Sequence, residues 1–382
     1  MSAILVSAVM PCLNEAETLA SCIQKAQHAF KKLGICGEVV VADNGSTDAS
    51  IQIAENLGAR VVHESEKGYG AALQAGIEGA RGEIVVIGDA DDSYDWESLG
   101  DFVAKIQQGH DFVMGNRFQG GIAKGAMPPH HRYFGNPVLS YAARVACRVP
   151  IGDFHCGMRA FTKTAYARMA PRTRGMEFAS EMIFNAGRNG LSIAEIPTKL
   201  FPDGRTRAPH LRSFRDGWRH LRFILSYAPD HVLLAPGLAL FVPGLLLMAL
   251  LAAGPTQIGG FYLGAHFLAL GCMMAMLGFN VVALWLLGKR IVMRKHPRLA
   301  EGRIGNFVAG LSLEKQLFAG AALLFGGLGV DGVILSRWLN NMGASMESTV
   351  HPAFVATSLM EMGLTLMFNA FILNLITSEA EK

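Results

Sequence analysis

The sequence predicts two fold classes in series: an α/β domain on a mostly parallel sheet, then an all-α transmembrane domain of four helices. Three observations carry this. Short apolar runs alternate with helical stretches through the first half, the pattern of parallel strands joined by crossover helices. Polar and acidic residues recur just after those runs, where open α/β sheets bind ligands. Four apolar stretches then follow, Val232–Ala253, Phe261–Leu287, Gln316–Leu335 and Phe354–Thr377. Each is long enough to cross a hydrocarbon core of ~30 Å. The composition agrees: 51% of the 382 residues are hydrophobic and 17% are charged, against about 25% charged in ordinary soluble domains.

In chain order, Ala3 to Met10 reads as a buried strand ending at Pro11-Cys12-Leu13-Asn14-Glu15, with a helix from Ala16 to Leu33. Glu38 to Ala42 is a second strand, closing on Asp43-Asn44-Gly45-Ser46-Thr47-Asp48 and a helix to Leu57. Arg60 to His63 is a third. Glu66-Lys67-Gly68-Tyr69-Gly70 opens a helix to Ala80, and its glycine-flanked N-terminus beside Lys67 suits an anion such as phosphate. Ile84 to Ile87 is the central strand, followed by Asp89, Asp91 and Asp92 and a helix from Trp96 to Gln107. Asp111 to Met114 is another strand, ending at Gly115-Asn116-Arg117-Phe118. Gln119 to Pro129 is rich in Gly and Pro and reads as a loop. His130 to Asn136 leads into a helix to Arg148, and Asp153 to Phe161 reads as a substrate-facing loop and strand. Glu177 to Asn189 is a helix carrying Glu181, and Ala194 to Leu200 is a strand.

Asp89 and Asp91, one residue apart after a buried strand, suit a shared Mg²⁺ or Mn²⁺. Mg²⁺ takes one or two carboxylates and fills its shell with water and phosphate oxygens. A polar turn capping the next helix explains the same residues, and both readings stand at this point. Arg117, Arg132, Arg159, Arg205 and Arg207 add guanidinium forks suited to phosphate. Six cysteines with no CxxC pair suggest free thiols in a reducing compartment.

Between the two halves, Leu211 to Tyr227 places Phe214, Trp218, Leu221 and Leu225 on one helical face. Arg212, Arg215, Arg219 and Arg222 fall on another, the profile of a helix lying in a membrane interface. The domains expected are therefore 1–210, an interfacial helix at 211–230 and four spans in 231–382. Lys289, Arg290, Arg294, Lys295, Arg298, Arg303 and Lys315 crowd the link between spans two and three. The positive-inside rule then puts that link, both termini and the first half in the cytoplasm of a bacterial plasma membrane or its equivalent. Ile4 to Met10 is too short an apolar run for a signal peptide. Glycines from Gly320 to Gly332 suit close helix packing. Asp331 and Glu361 are expected near the outer interface or paired with Arg337.

The order Pro11-Cys12-Leu13-Asn14-Glu15, VVVADNGSTD to Asp48, KGYGAAL from Lys67 and GDAD to Asp91 resembles glycosyltransferase family 2. GNRF at Gly115–Phe118 and FHCGMRAF resemble its polyprenyl-phosphate branch, the dolichyl-phosphate mannose and glucose synthases and their undecaprenyl-phosphate relatives. The resemblance covers Ile4 to about Leu225. It implies a GT-A fold and inverting transfer from a UDP-sugar such as UDP-glucose, or from GDP-mannose, to a polyprenyl phosphate in a cell-envelope glycan pathway. By position, it implies that Pro11, Asn14, Glu15, Asp43 and Asp48 hold the nucleotide, with Lys67, Gly68 and Asp89 on the donor side. Asp89 and Asp91 bear on the metal and diphosphate. Arg117, Arg132, Asn136 and Arg207 hold the acceptor phosphate, making Asp91, Arg117 and Arg132 the catalytic set. Mannosyl-transferring members follow the last arginine with Ser-Lys, whereas this chain reads Arg207-Ala208-Pro209-His210. Asp153 and Glu181 are read as orienting arginines. A homo-oligomer is left open, and no nucleic-acid partner is expected.

Two other classes compete. A processive polysaccharide synthase carries QxxRW, but Arg337-Trp338 here follows Ile334 rather than Gln, on the outer side. A non-catalytic scaffold or flippase partner has no need of the intact acids and arginines.

Overall fold

The computed structural model describes residues 5–147, 149–206, 213–226, 228–295, 303–340 and 347–378. They fall into two compact units, Met1–Tyr227 and Ala228–Lys382.

The first unit runs β1 (Val6–Cys12), α1 (Leu19–Leu33), β2 (Gly37–Asp43), α2 (Ser50–Asn56), β3 (Arg60–His63), α3 (Tyr69–Gly79), β4 (Ile84–Ile87) and α4 (Leu99–Gln107). It continues with β5 (Phe112–Asn116), α5 (Arg117–Gly120), a π-helical turn at His131–Gly135, α6 (Asn136–Cys147), β6 (Arg159–Thr162), α7 (Lys163–Met169), α8 (Glu177–Arg188), β7 (Ile193–Pro197) and α9 (Ser213–Ser226). The seven strands lie in the order β3-β2-β1-β4-β6-β5-β7. All neighbours are parallel except β6, which runs antiparallel to both β4 and β5. The expected mostly parallel sheet is therefore present.

Two-residue periodicity sends alternate residues of β1 to opposite faces. Val6, Ala8 and Met10 join a core with Leu19, Ile23, Trp96 and Phe102. Val9 joins a second core with Leu73, Ile77, Phe112, Phe154 and Phe184. The chain builds outward from β1 to β3, then returns to place β4 on the other side of β1. That reversal opens a crevice at the carboxyl ends of β1 and β4, the place where doubly wound sheets bind ligands.

Several boundaries differ from the sequence reading. α1 begins at Leu19 because the Thr18 and Leu19 amides both donate to the Glu15 carbonyl, making a turn of the preceding residues. FHCGMRAF is mainly core rather than substrate-facing, with Phe154, Cys156, Met158 and Phe161 buried. α9 packs with the first unit instead of standing apart: His220 and Ile224 are buried, and the Ser180 hydroxyl meets His220 Nδ1 at 2.8 Å. Trp218 on the same helix is 60% exposed. Arg207 and Arg212 lie outside the described residues, as do the side chains of Phe214 and Arg215.

The second unit contains a π-helical turn at Asp230–Leu234, α10 (Ala235–Leu251), β8 (Thr256–Ile258), β9 (Phe261–Leu263), α11 (Ala265–Lys295), α12 (Arg303–Ala309), α13 (Leu313–Asn340) and α14 (Glu347–Ser378). Four segments are long and apolar enough to span a membrane: Asp230–Leu251, Ala265–Arg294, Leu313–Asn340 and Thr349–Ile376. Phe261–Leu263, read as the start of the second span, instead pairs with Thr256–Ile258 in a small hairpin. Gly320 and Gly327 of α13 lie against Gly363 and against Ala356 and Met360 of α14, the small-residue contact expected. Glu361 is not at an outer interface. It sits mid-span and accepts a 2.9 Å hydrogen bond from Asn280 of α11. Among the described residues, neither Asp331 nor Glu361 pairs with Arg337.

Candidate active site

The crevice is built from the loops that leave β1, β2 and β4, and each loop is tied to another. Asn14 adopts a left-handed backbone with φ 60°, a conformation that asparagine tolerates better than most residues. This turns its side chain to accept from the Thr47 amide at 2.7 Å, while its own amide donates to Ser46 Oγ at 2.9 Å. The Glu15 amide donates to Ser50 Oγ at 2.8 Å, and Asp48 accepts from the amides of Ala16 and Ser50. Asp43 accepts from the amides of Gly45 and Ser46. Burial pushes the Asp43 carboxyl upward, but these bonds and His63 outweigh it and hold it below the usual range. Asn14, Glu15 and Asp48 lie on two interlocked loops, and Pro11 and Asp43 lie at the ends of β1 and β2 that feed them, the set that the family resemblance grouped.

Asp89 follows β4 and is enclosed. Its Oδ1 accepts from the Tyr69 phenol at 3.0 Å. Burial, and next the neighbouring Asp91 charge, push the Asp89 carboxyl up to about 7. Asp91 Oδ1 accepts from the Ser93 amide at 3.1 Å and the Ser93 hydroxyl at 2.6 Å. Its Oδ2 meets Arg205 Nη2 at 3.1 Å. Asp92 turns away, with φ 61°, to pair with Lys25 at 2.6 Å.

These residues fit a divalent cation. Two neighbouring half-buried carboxylates, one of them raised by desolvation and by the other's charge, gain from a hard positive charge. Gly157 stands against Asp89 with no side chain, and a Cβ there would come within 2.7 Å of Asp89 Oδ2. Among the described residues no third acid, histidine or cysteine completes a metal cluster, which suits an ion whose remaining ligands come from water and substrate phosphate.

The arginines separate into three roles. Arg117 is buried and committed to Asp153, with Nε at 2.7 Å, Nη2 at 2.8 Å and its backbone amide at 3.0 Å from the same carboxylate. Asp153 therefore orients an arginine, as read. Arg159 is buried and spends its guanidinium on the carbonyls of Cys156, Phe154 and Ala179. Arg132, half-buried in the turn before α6, lies 5.6 Å from the Tyr133 ring and has no carboxylate partner among the described residues. Asn136 Nδ2 reaches Met127 Sδ at 3.4 Å.

Two groups are engaged differently from the sequence reading. At the N-terminus of α3 the Gly68 amide donates to Asn44 Oδ1 at 2.8 Å, the Ala71 amide donates to the Arg174 carbonyl at 3.1 Å, and Lys67 Nζ donates to the Asn44 carbonyl at 2.6 Å. Those two amides and the ammonium are engaged by protein oxygens. Glu181 orients no guanidinium among the described residues; it accepts from the amides of Arg172 and Thr173 and from the Thr173 hydroxyl, fixing the loop that covers α3. The sequence reading passed over Tyr69 and Ser93, although Tyr69 sits inside the KGYG motif.

Comparison with known proteins agrees with this architecture. Residues 7–169 match the model for glycosyl transferase family 2. Residues 286–377 match the glycosyltransferase family 2 C-terminal transmembrane region. The chain is 38% identical over 370 residues to the low-salt glycan biosynthesis hexosyltransferase Agl6 of Haloferax volcanii, covering 96% of this chain and 88% of that one. It is 34% identical to a dolichyl-phosphate hexose transferase of the same organism, over 42% of this chain and 68% of that one. It is also 29% identical to an undecaprenyl-phosphate 4-deoxy-4-formamido-L-arabinose transferase of Pseudomonas fluorescens, over 44% and 50%. With its motifs in order on a GT-A-like sheet and a matching membrane region, the chain belongs to glycosyltransferase family 2.

Proposed function

We infer that this glycosyltransferase moves one sugar, with inversion, from a UDP- or GDP-sugar to a polyprenyl phosphate at the cytosolic face of the membrane. The observation that carries the reading is the half-buried Asp89–Asp91 pair at the end of β4, within a unit that also presents an arginine, Arg132, free of any described carboxylate. Acids for a metal-bound donor and a free guanidinium for a second phosphate match a reaction with two phosphorylated substrates. The named relatives that act on dolichyl and undecaprenyl phosphates support the acceptor class.

In this reading Pro11, Asn14, Glu15, Asp43 and Asp48 hold the nucleotide. Asp89 and Asp91 hold Mg²⁺ or Mn²⁺, which when bound stabilises the departing nucleoside diphosphate. Arg132 and Asn136 orient the acceptor phosphate, and Arg117 contributes buried positive charge rather than a free fork. Arg207 is assigned to the acceptor by its motif. No general base is required, because a lipid monophosphate is already largely ionised above its second pKa near ~6. The attacking oxygen needs alignment with the anomeric carbon, and its approach to the donor needs its charge offset; both are tasks for fixed guanidinium groups. The exposed Trp218 of α9 and the exposed Tyr133 and Phe134 beside Arg132 suit contact with lipid headgroups and acyl chains.

The test is a transfer assay in membranes with undecaprenyl and dolichyl phosphates and a panel of labelled UDP- and GDP-sugars. A chloroform-soluble labelled product is expected with one donor, lost on EDTA treatment and in Asp91→Ala. Arg132→Ala should lower kcat/KM by about 10²-fold. Label in a water-soluble polymer would point to a processive synthase instead.

A further inference from the structure

Arg205 lies far from Asp91 in sequence, yet it closes the donor side of the crevice. Its guanidinium is nearly buried, with a side chain 10% exposed. Nη1 donates to Glu15 Oε1 at 2.9 Å, Nη2 donates to Asp91 Oδ2 at 3.1 Å, and Nε and Nη2 grip Asp203. One cation therefore holds two residues that the reading above gives to the donor: Glu15 on the nucleotide side and Asp91 on the metal side.

The backbone that delivers Arg205 is anchored without help from its side chain. The Phe201 amide donates to the Ser93 carbonyl at 2.9 Å, and the Gly204 amide donates to the Asp91 carbonyl at 3.0 Å. Thr206 donates to Glu17 through its amide and its hydroxyl, both at 2.7 Å. Gly204 lies so close to Thr18 that a Cβ would come within 2.9 Å of Thr18 Cγ2. These bonds hold the strap at 200–206 independently of the Arg205 guanidinium.

We propose that Arg205 is a resident counter-cation of the donor site, occupying Asp91 and Glu15 until a divalent ion and a nucleoside diphosphate arrive together. A guanidinium and a divalent ion repel each other at one carboxylate oxygen. The metal alone must therefore take Asp91 from Arg205 and leave the guanidinium on Glu15 and Asp203 only. When the metal enters with a nucleoside diphosphate, the displaced guanidinium gains phosphate oxygens that it binds in its preferred forked geometry. Metal and nucleotide then bind with positive coupling, and linkage makes that coupling equal in both directions. Arg205 is a positioning residue in this scheme.

The inference rests on the metal assignment at Asp89 and Asp91, and the experiment separates the two. Mn²⁺ binding to the full-length protein in detergent is followed by electron paramagnetic resonance, alone and with UDP or GDP. The parent is expected to bind Mn²⁺ weakly alone and much more tightly with one nucleotide. Arg205→Gln is expected to bind Mn²⁺ alone at least tenfold more tightly, to bind the nucleotide more weakly and to lose at least tenfold of the coupling. Arg205→Lys, which keeps one charge but not the fork, should fall between them. Thermal unfolding of each variant checks that the strap still folds. If Arg205→Gln is folded and binds Mn²⁺ alone no more tightly than the parent, Arg205 is no counter-cation and the inference fails. If the parent binds no Mn²⁺ with either nucleotide, the metal assignment itself falls.

Discussion

Arg117 and Arg132 carry the same charge on one stretch of chain, and their partners give them different tasks. Arg117 is enclosed with Asp153, at 9% and 0% side-chain exposure. Removing one member of such a pair strands a buried charge and costs about 3–5 kcal/mol. Asp153→Ala should therefore lower stability by about that amount, read by chemical denaturation of the detergent-solubilised protein. Arg132→Ala should leave stability almost unchanged while reducing transfer. His155 gives a second prediction. Its ring nitrogens are buried without a hydrogen-bond partner. Burial first, then the nearby His220, Arg117 and Arg159, hold it well below the ordinary histidine range. The unfolded chain thus binds a proton here that the folded chain refuses. The stability that His155 contributes is present above the unfolded value of about 6.5 and is lost as pH falls below it. His155→Phe should flatten the pH dependence of the melting temperature between pH 5 and 7; an unchanged slope would assign the effect elsewhere.

The helices illustrate a different balance. α3 looked from its glycines like an anion-binding N-terminus, and two amides there, those of Gly68 and Ala71, are met by Asn44 and Arg174. Orphan donors at a helix end take whatever acceptor the fold brings, and here a loop held by Glu181 arrives first. In the membrane unit, α13 and α14 approach through glycines, whereas α11 and α14 share the Asn280–Glu361 hydrogen bond. Polar bonds between membrane helices contribute about 0.6 kcal/mol on average. Asn280→Leu should lower the stability of the bundle by about 0.6 to 2 kcal/mol, since it leaves Glu361 with the longer 3.3 Å bond from the Thr365 hydroxyl. Glu361→Gln, which keeps an acceptor for Asn280, should cost less. Steric-trap unfolding in bicelles measures both.

At the scale of the whole molecule, charge placement predicts orientation. The basic link between the second and third spans should face the cytoplasm, and the hairpin between the first and second should face the other side. On a background with the six native cysteines changed to serine, Arg298→Cys in intact cells should resist a membrane-impermeant maleimide until permeabilisation. Gln257→Cys should react without it. The opposite result would reverse the topology and with it the proposed cytosolic access to nucleotide-sugar. Orientation matters because Asp89, Asp91 and Arg132 belong to one compact unit, which under the proposed function would meet a soluble substrate and a lipid at once.

The two fold classes, the order of motifs along the strands and the four apolar segments were all legible from residue pattern. Each depends on a local quantity: two-residue alternation, β-branched runs, or about twenty apolar residues in succession. Residue pattern also gathered Asp43, Asp48, Asp89 and Asp91, because the carboxyl ends of neighbouring parallel strands must meet, and the family resemblance added Asn14 and Glu15. Only the tertiary structure decided which charges are spent. Arg159 resembles Arg132 in sequence but is consumed by three backbone carbonyls, and Arg205 reaches Asp91 only because the strap crosses the end of β4. The antiparallel β6, the short hairpin before the second span and the mid-membrane Asn280–Glu361 bond were likewise hidden. A pairing between distant segments depends on how the chain crosses itself, and residue spacing carries no record of that.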